Sequence, residues 1–101
     1  MAGKFLVLWR LDLSRLTPEA VRAILRQQDY GAALESEGKV LSRYHLVGAH
    51  GGAWIYDVAS NEELDALLAR APVYNIARYE IHALAEMTAP TPVAVTGSEA
   101  G

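Results

Sequence analysis

Between Glu37 and Leu68 the chain reads EGKVLSRYHLVGAHGGAWIYDVASNEELDALL, and this stretch limits the possible fold more than any other. Val40 to Val47 and Ala53 to Val58 are apolar runs of strand length, joined across Gly48-Ala49-His50-Gly51-Gly52. A short glycine-rich link between two such runs predicts an antiparallel hairpin. Ser60-Asn61-Glu62-Glu63 follows at once as a capping box, with Ser60 as the cap and Glu63 reaching back. It opens a helix with Leu64, Leu67 and Leu68 on one side, ending before Pro72.

The flanking segments complete the order. Phe5 to Leu13 alternates as a strand, with Phe5, Val7, Trp9 and Leu11 on one face and Leu6, Leu8, Arg10 and Asp12 on the other. Thr17-Pro18-Glu19 combines a hydroxyl cap, a proline at the first helical position and an acid in the first turn. The helix it starts runs to about Glu37 and stops at Gly38, with Val21, Ile24, Leu25, Ala32 and Leu34 as its apolar stripe. Ala77 to Leu84 is the last strand, with Tyr79, Ile81 and Ala83 opposite Arg78, Glu80 and His82. The resulting order, β-α-β-β-α-β, is the ferredoxin-like arrangement, an α+β fold with an antiparallel sheet and two helices on one face. The second sheet face still carries leucines and aromatics, so a second copy is expected to cover it. The expected domain is 1–87, with 88–101 (TAPTPVAVTGSEAG, small and proline-rich) as a flexible C-terminal tail.

With 101 residues, 51% of them hydrophobic, the chain is long enough for one domain with its own core. A formal charge of -3 with no Lys/Arg cluster argues against nucleic acid, and the absence of cysteine removes disulfides, thiolate nucleophiles and Cys-based zinc sites. The apolar N-terminal run is broken by Arg10 and Asp12 and is too short to span a membrane, so a cytoplasmic protein is the default expectation. The histidines lack HExxH-type spacing, and no metal site is expected.

Chemistry then falls to a few residues. His50 sits in the glycine turn, where an imidazole can reach into a cleft and serve as acid or base; an exposed turn histidine fits the same pattern. Tyr44 and His45 are neighbours on a strand, so one points to the helices and the other to the opposite face, and the pattern does not say which. Trp9, Trp54, Tyr44 and Tyr74 belong to an aromatic set suited to core, or to the wall of a pocket for a planar or cyclic small molecule. Gln27, Gln28 and Asp29 interrupt the apolar stripe of the first helix, as inward polar groups or as a solvated face.

Leu34-Glu35-Ser36-Glu37-Gly38-Lys39, then His45-Leu46-Val47-Gly48, then Tyr56-Asp57-Val58 with Ser60-Asn61-Glu62-Glu63-Leu64, and finally Ala71-Pro72-Val73-Tyr74, resemble the muconolactone Δ-isomerase family in order and spacing. The resemblance covers about residues 4 to 84. It implies a ferredoxin-like dimeric α+β barrel, dimers that build decamers, and no metal or organic cofactor. It also implies proton transfer across an unsaturated lactone in the β-ketoadipate pathway of aromatic degradation. The glutamate that such isomerases carry on the first helix falls on Gln27, with Asp29 nearby. Their Gly-His pair is Gly48-Ala49, with the histidine at His50, and the preceding Trp-Arg corresponds to Tyr44-His45. On this basis His50, Gln27 and Tyr44 are the expected catalytic groups, and Trp9, Asp29, Trp54 and Tyr74 the expected substrate contacts. A cofactor-independent monooxygenase or polyketide-tailoring enzyme, or a non-catalytic binding relative, is the alternative on the same scaffold.

Overall fold

The computed structural model describes residues 3–12 and 16–87. In chain order it contains β1 (Gly3–Leu11), α1 (Pro18–Ser36), β2 (Val40–His45), β3 (Gly51–Val58), α2 (Asn61–Ala69), a short 3-10 turn (Tyr74–Ile76) and β4 (Ala77–Leu84). The four strands form one sheet in the order β2-β3-β1-β4, and every neighbouring pair is antiparallel. This is the α+β, ferredoxin-like arrangement the sequence implies. The proline-rich segment 88–101 lies outside the described residues.

Both helix starts follow from their caps. Thr17 accepts from the Ala20 N–H at 3.1 Å with Pro18 at the first helical position. Ser60 accepts from the Glu63 N–H at 3.1 Å, while the Glu63 carboxylate takes the Ala59 N–H at 2.7 Å and the Lys39 ammonium at 2.6 Å. Helix α1 gives way at Gly38, whose φ of +75° is the left-handed conformation that closes a helix at little cost in glycine. The inward stripe of α1 is Ala20, Gln27, Gly31 and Leu34, and that of α2 is Leu64, Leu67 and Leu68. They meet Val7, Trp9 and Leu11 of β1, Val40 of β2, and Trp54, Tyr56 and Val58 of β3. The alternation read along β1 therefore separates helix side from open side.

The open side of the sheet carries Leu6 and Leu8 of β1 and Ile55 of β3, half-buried, with Tyr44 of β2 and Leu84 of β4 exposed.

The hairpin is the main departure from the sequence reading. Strand β2 ends at His45, two residues early, and β3 begins at Gly51, two residues before Ala53. Gly51 and Gly52 are thus strand residues, paired with Arg10 and Trp9 of β1. They are glycine because of what approaches them: a Cβ on Gly51 would collide with the Trp9 carbonyl oxygen. The turn residue that needs glycine for its backbone is Gly48, with φ +79°.

Tyrosine hydroxyls are enclosed between the layers. Tyr30 donates to the Leu67 carbonyl at 2.6 Å. Burial, then the neighbouring Tyr79 and Tyr30, holds the Tyr56 phenol far above the ordinary range. Tyr79 is pushed up to about 12, by burial first and then by Tyr74 and Tyr30. The folded chain keeps these protons more tightly than the unfolded chain, so their contribution is intact below about pH 10 and lost as pH rises toward 12. Urea midpoints should therefore decline between about pH 10 and pH 11.5, and less so in Tyr79→Phe. A midpoint that stays level over that interval in the wild type would contradict the assignment.

Candidate functional site

The site is built on a gap in the sheet. Trp9 and His45 both stand opposite Gly52, on either side of it, and Val7 and Arg43 flank Trp54 in the same way. Directly opposed residues of antiparallel strands share a face. His45, Arg43, Trp9 and Trp54 therefore all project to the helix side, and the missing side chain at Gly52 leaves a notch among them. Above the notch lies a cleft of about 350 Å³ between α1 and the end of the sheet. Trp9, Leu11, Gly51, Gly52 and Trp54 form its floor, Arg43, Tyr44, His45 and His50 its β2 side, and Ile24, Gln28 and Glu35 its α1 side.

Arg43 is the fixed charge. Its Nη2 lies 2.8 Å and its Nε 2.9 Å from Glu35 Oε1, Nη1 donates to the Gln28 carbonyl at 3.2 Å, and the guanidinium lies 5.4 Å from the Trp54 ring centroid. Gly31 of α1 makes room for it, since a Cβ there would collide with Arg43 Nη1 and stand 2.6 Å from Trp54 Cη2. A guanidinium has five N–H groups. Each terminal nitrogen of Arg43 thus retains one donor beyond these contacts, enough for a carboxylate. His45 and His50 are exposed, and neither makes an ion pair or side-chain hydrogen bond with another described residue. The two tryptophans meet edge to face, with centroids 5.8 Å apart at 88°.

The residues singled out from sequence divide between two environments. His50, Tyr44, Trp9 and Trp54 line the cleft. Tyr44 pairs with Ala53 and is 63% exposed, so its ring belongs to the open sheet face, and His45 is the one of the pair turned toward the helices. Gln27, Asp29 and Tyr74 do not line the cleft. Gln27 is 1% exposed on the inward stripe of α1, with Oε1 unpartnered; one residue further round the helix, Gln28 reaches the cleft instead. Asp29 is exposed, and Tyr74 is 42% exposed with its ring 6.0 Å from that of Tyr79. Sequence reasoning passes over Arg43, Glu35 and Gly52. The alternation of β2 is the signal that places Arg43 beside His45, two residues apart and on one face.

Among the described residues no cluster of three or more His, Cys, Asp or Glu side chains could hold a metal ion, and no helix is long and apolar enough to cross a membrane.

The fold and cleft define a small ferredoxin-like protein with an open cleft between the first helix and the sheet. The family model for muconolactone delta-isomerase matches residues 4–89, and the chain belongs to the muconolactone Δ-isomerase family. It is 33% identical over 61 residues to a muconolactone Δ-isomerase of Cupriavidus pinatubonensis, covering 60% of this chain and 66% of that one. It is 31% identical over 74 residues to the muconolactone Δ-isomerase of Acinetobacter baylyi, covering 73% of this chain and 77% of the relative. The crystal structure of a muconolactone isomerase shares the fold, with a TM-score of 0.73 at 20% identity over 83% of this chain and 90% of the other.

Proposed function

We propose that this chain is an isomerase that shifts a proton within a small unsaturated lactone bearing a carboxylate, the kind of substrate its family is named for. The observation that carries this reading is the placement of Arg43, His45 and His50 around one cleft floored by Trp9 and Trp54. The free donors of Arg43 would take the carboxylate, and the indoles would cover the planar ring. A base then removes the proton from the ring carbon next to the double bond, and the electron pair delocalises into the lactone carbonyl as a dienolate. The proton returns at the carbon beside the carbonyl, and the double bond has moved by one position. Atoms and electrons balance within the substrate, so the step calls for neither oxidant nor cofactor.

The base must come from the cleft. Gln27 carries an amide, which does not accept a proton at neutral pH, and Glu35 is held in its ion pair with Arg43. The two imidazoles remain, with His45 directly beside the Gly52 notch and His50 in the turn above it. Turnover of muconolactone, followed as loss of its ultraviolet absorbance, tests the reading. His45→Ala should lower kcat by about a hundredfold or more, the range for a lost acid or base, and His50→Ala should lower it measurably as well. No turnover by the wild type, or full activity in both variants, would sink it.

The open sheet face with Leu6, Leu8, Ile55 and Tyr44 is, in this reading, the contact with a second copy. Light scattering should give at least a dimer mass, and Leu8→Glu should shift it toward the monomer; a monomeric wild type would contradict the contact.

A further inference from the structure

Trp9 Nε1 is a buried donor without a partner, on a side chain only 5% exposed. An indole nitrogen donates and cannot accept, so the neighbouring Trp54 cannot satisfy it. A Cβ placed on Gly52 would stand 2.8 Å from Trp9 Nε1, 2.8 Å from Trp54 Nε1 and 3.0 Å from the Tyr44 carbonyl oxygen. Two donors that both lie so near one point are close enough together for a single acceptor atom to receive both protons. Gly52 itself lines the cleft with both tryptophans, and His45 flanks it on the next strand. Leaving a buried donor unsatisfied is costly in an apolar core. In the free protein Trp9 Nε1 is closed off beside Gly52, so this donor gains a partner only where a ligand oxygen is drawn in against the glycine.

We infer that the indole N–H groups of Trp9 and Trp54 form a two-donor seat over Gly52 for the oxygen of a ring enolate. This deepens the isomerase reading and rests on it. In that reaction the negative charge develops on the lactone oxygen only after the proton leaves, so donors aimed there favour the dienolate over the neutral lactone. The seat selects a flat five-membered ring anion whose oxygen comes up against Gly52, where no side chain intervenes, with His45 at its edge for the proton.

The chain has two tryptophans, both in the seat, so protein labelled with ¹⁵N at the indole gives two indole signals, assigned by Trp9→Phe. Tetronate, the anion of tetronic acid, is a ring enolate of the right size and is charged at neutral pH; γ-butyrolactone is its uncharged counterpart. Tetronate should move both indole protons downfield as hydrogen bonds form, while γ-butyrolactone leaves them nearly in place. Trp9→Phe and Trp54→Phe should each weaken tetronate by about tenfold or more, the loss expected for one hydrogen bond to an anion. Absence of tetronate binding by the wild type, movement of one signal alone, or undiminished affinity in both variants would overturn the seat. The wild-type spectrum tests the seat even where a variant fails to fold. Muconolactone turnover is read separately. Indole shifts without turnover would remove the isomerase reading and keep the enolate seat; turnover unchanged in both variants, without indole shifts, would do the reverse.

Discussion

Arg43→Met raises KM for a carboxylate-bearing lactone by about a hundredfold while kcat changes far less, because the lost contact serves ground state and transition state alike. The magnitude follows from two charge-assisted hydrogen bonds in a cleft that is partly shielded from water. Arg43 is well placed to hold an anion because three of its nitrogens are already anchored, to Glu35 and the Gln28 carbonyl, and its plane rests by Trp54. Little rotamer freedom is left to lose on binding. Lysine would not replace it, since an ammonium on a flexible stem cannot meet Glu35, the carbonyl and a ligand from one rigid fork. Methionine also strips Glu35 of its counter-charge and leaves a carboxylate facing the incoming anion. Glu35→Gln added to Arg43→Met should therefore recover part of the affinity. The methyl ester of the same lactone, which has no anion to offer, should show almost no change in KM. Steady-state kinetics on acid and ester decide the matter, with circular dichroism to confirm folding. An equal rise for both substrates would mean that Arg43 shapes the cleft without holding the carboxylate.

The architecture is open to reading because its signals are local. Thr17 with Pro18, and Ser60 with Glu63, satisfy orphan backbone donors within a single turn, and the β1 alternation follows from strand geometry alone. The site is less open because its signals are long-range. Arg43 reads in sequence as an ordinary strand-surface charge; the pairing of β2 with β3 sets it beside Trp54, and the approach of α1 over Gly31 brings it to Glu35. Gln27 and Gln28 are indistinguishable in the sequence, yet a rotation of one residue buries one and sends the other to the cleft. Gly51 and Gly52 read as turn because glycine most often marks one. Here they report the closeness of neighbouring atoms, which composition does not reveal.

That distinction carries a large stability effect. Gly51→Ala should lower the unfolding free energy by about 3 kcal/mol or more, at the upper end for an inserted methyl group. The new Cβ would collide with the Trp9 carbonyl oxygen and lie 3.0 Å from Arg10 Cα and 3.1 Å from the Trp9 carbonyl carbon. All three atoms belong to the backbone of β1, so no side-chain rotation relieves the contact. Relief requires β1 and β3 to separate where Arg10 faces Gly51, next to the Trp9–Gly52 pair that forms the cleft floor. Stability and ligand affinity should therefore fall together. Gly48→Ala is the matching control, three residues away in the turn. Its φ is +79°, and nothing lies within 4 Å of the added carbon, so it meets only the left-handed backbone penalty of about 1–2 kcal/mol. Urea unfolding of both variants, with tetronate affinity measured on the folded protein, separates the two causes. If Gly51→Ala is no less stable than Gly48→Ala, the strand is looser at this point than the structure shows, and the notch at Gly52 loses its rigid floor.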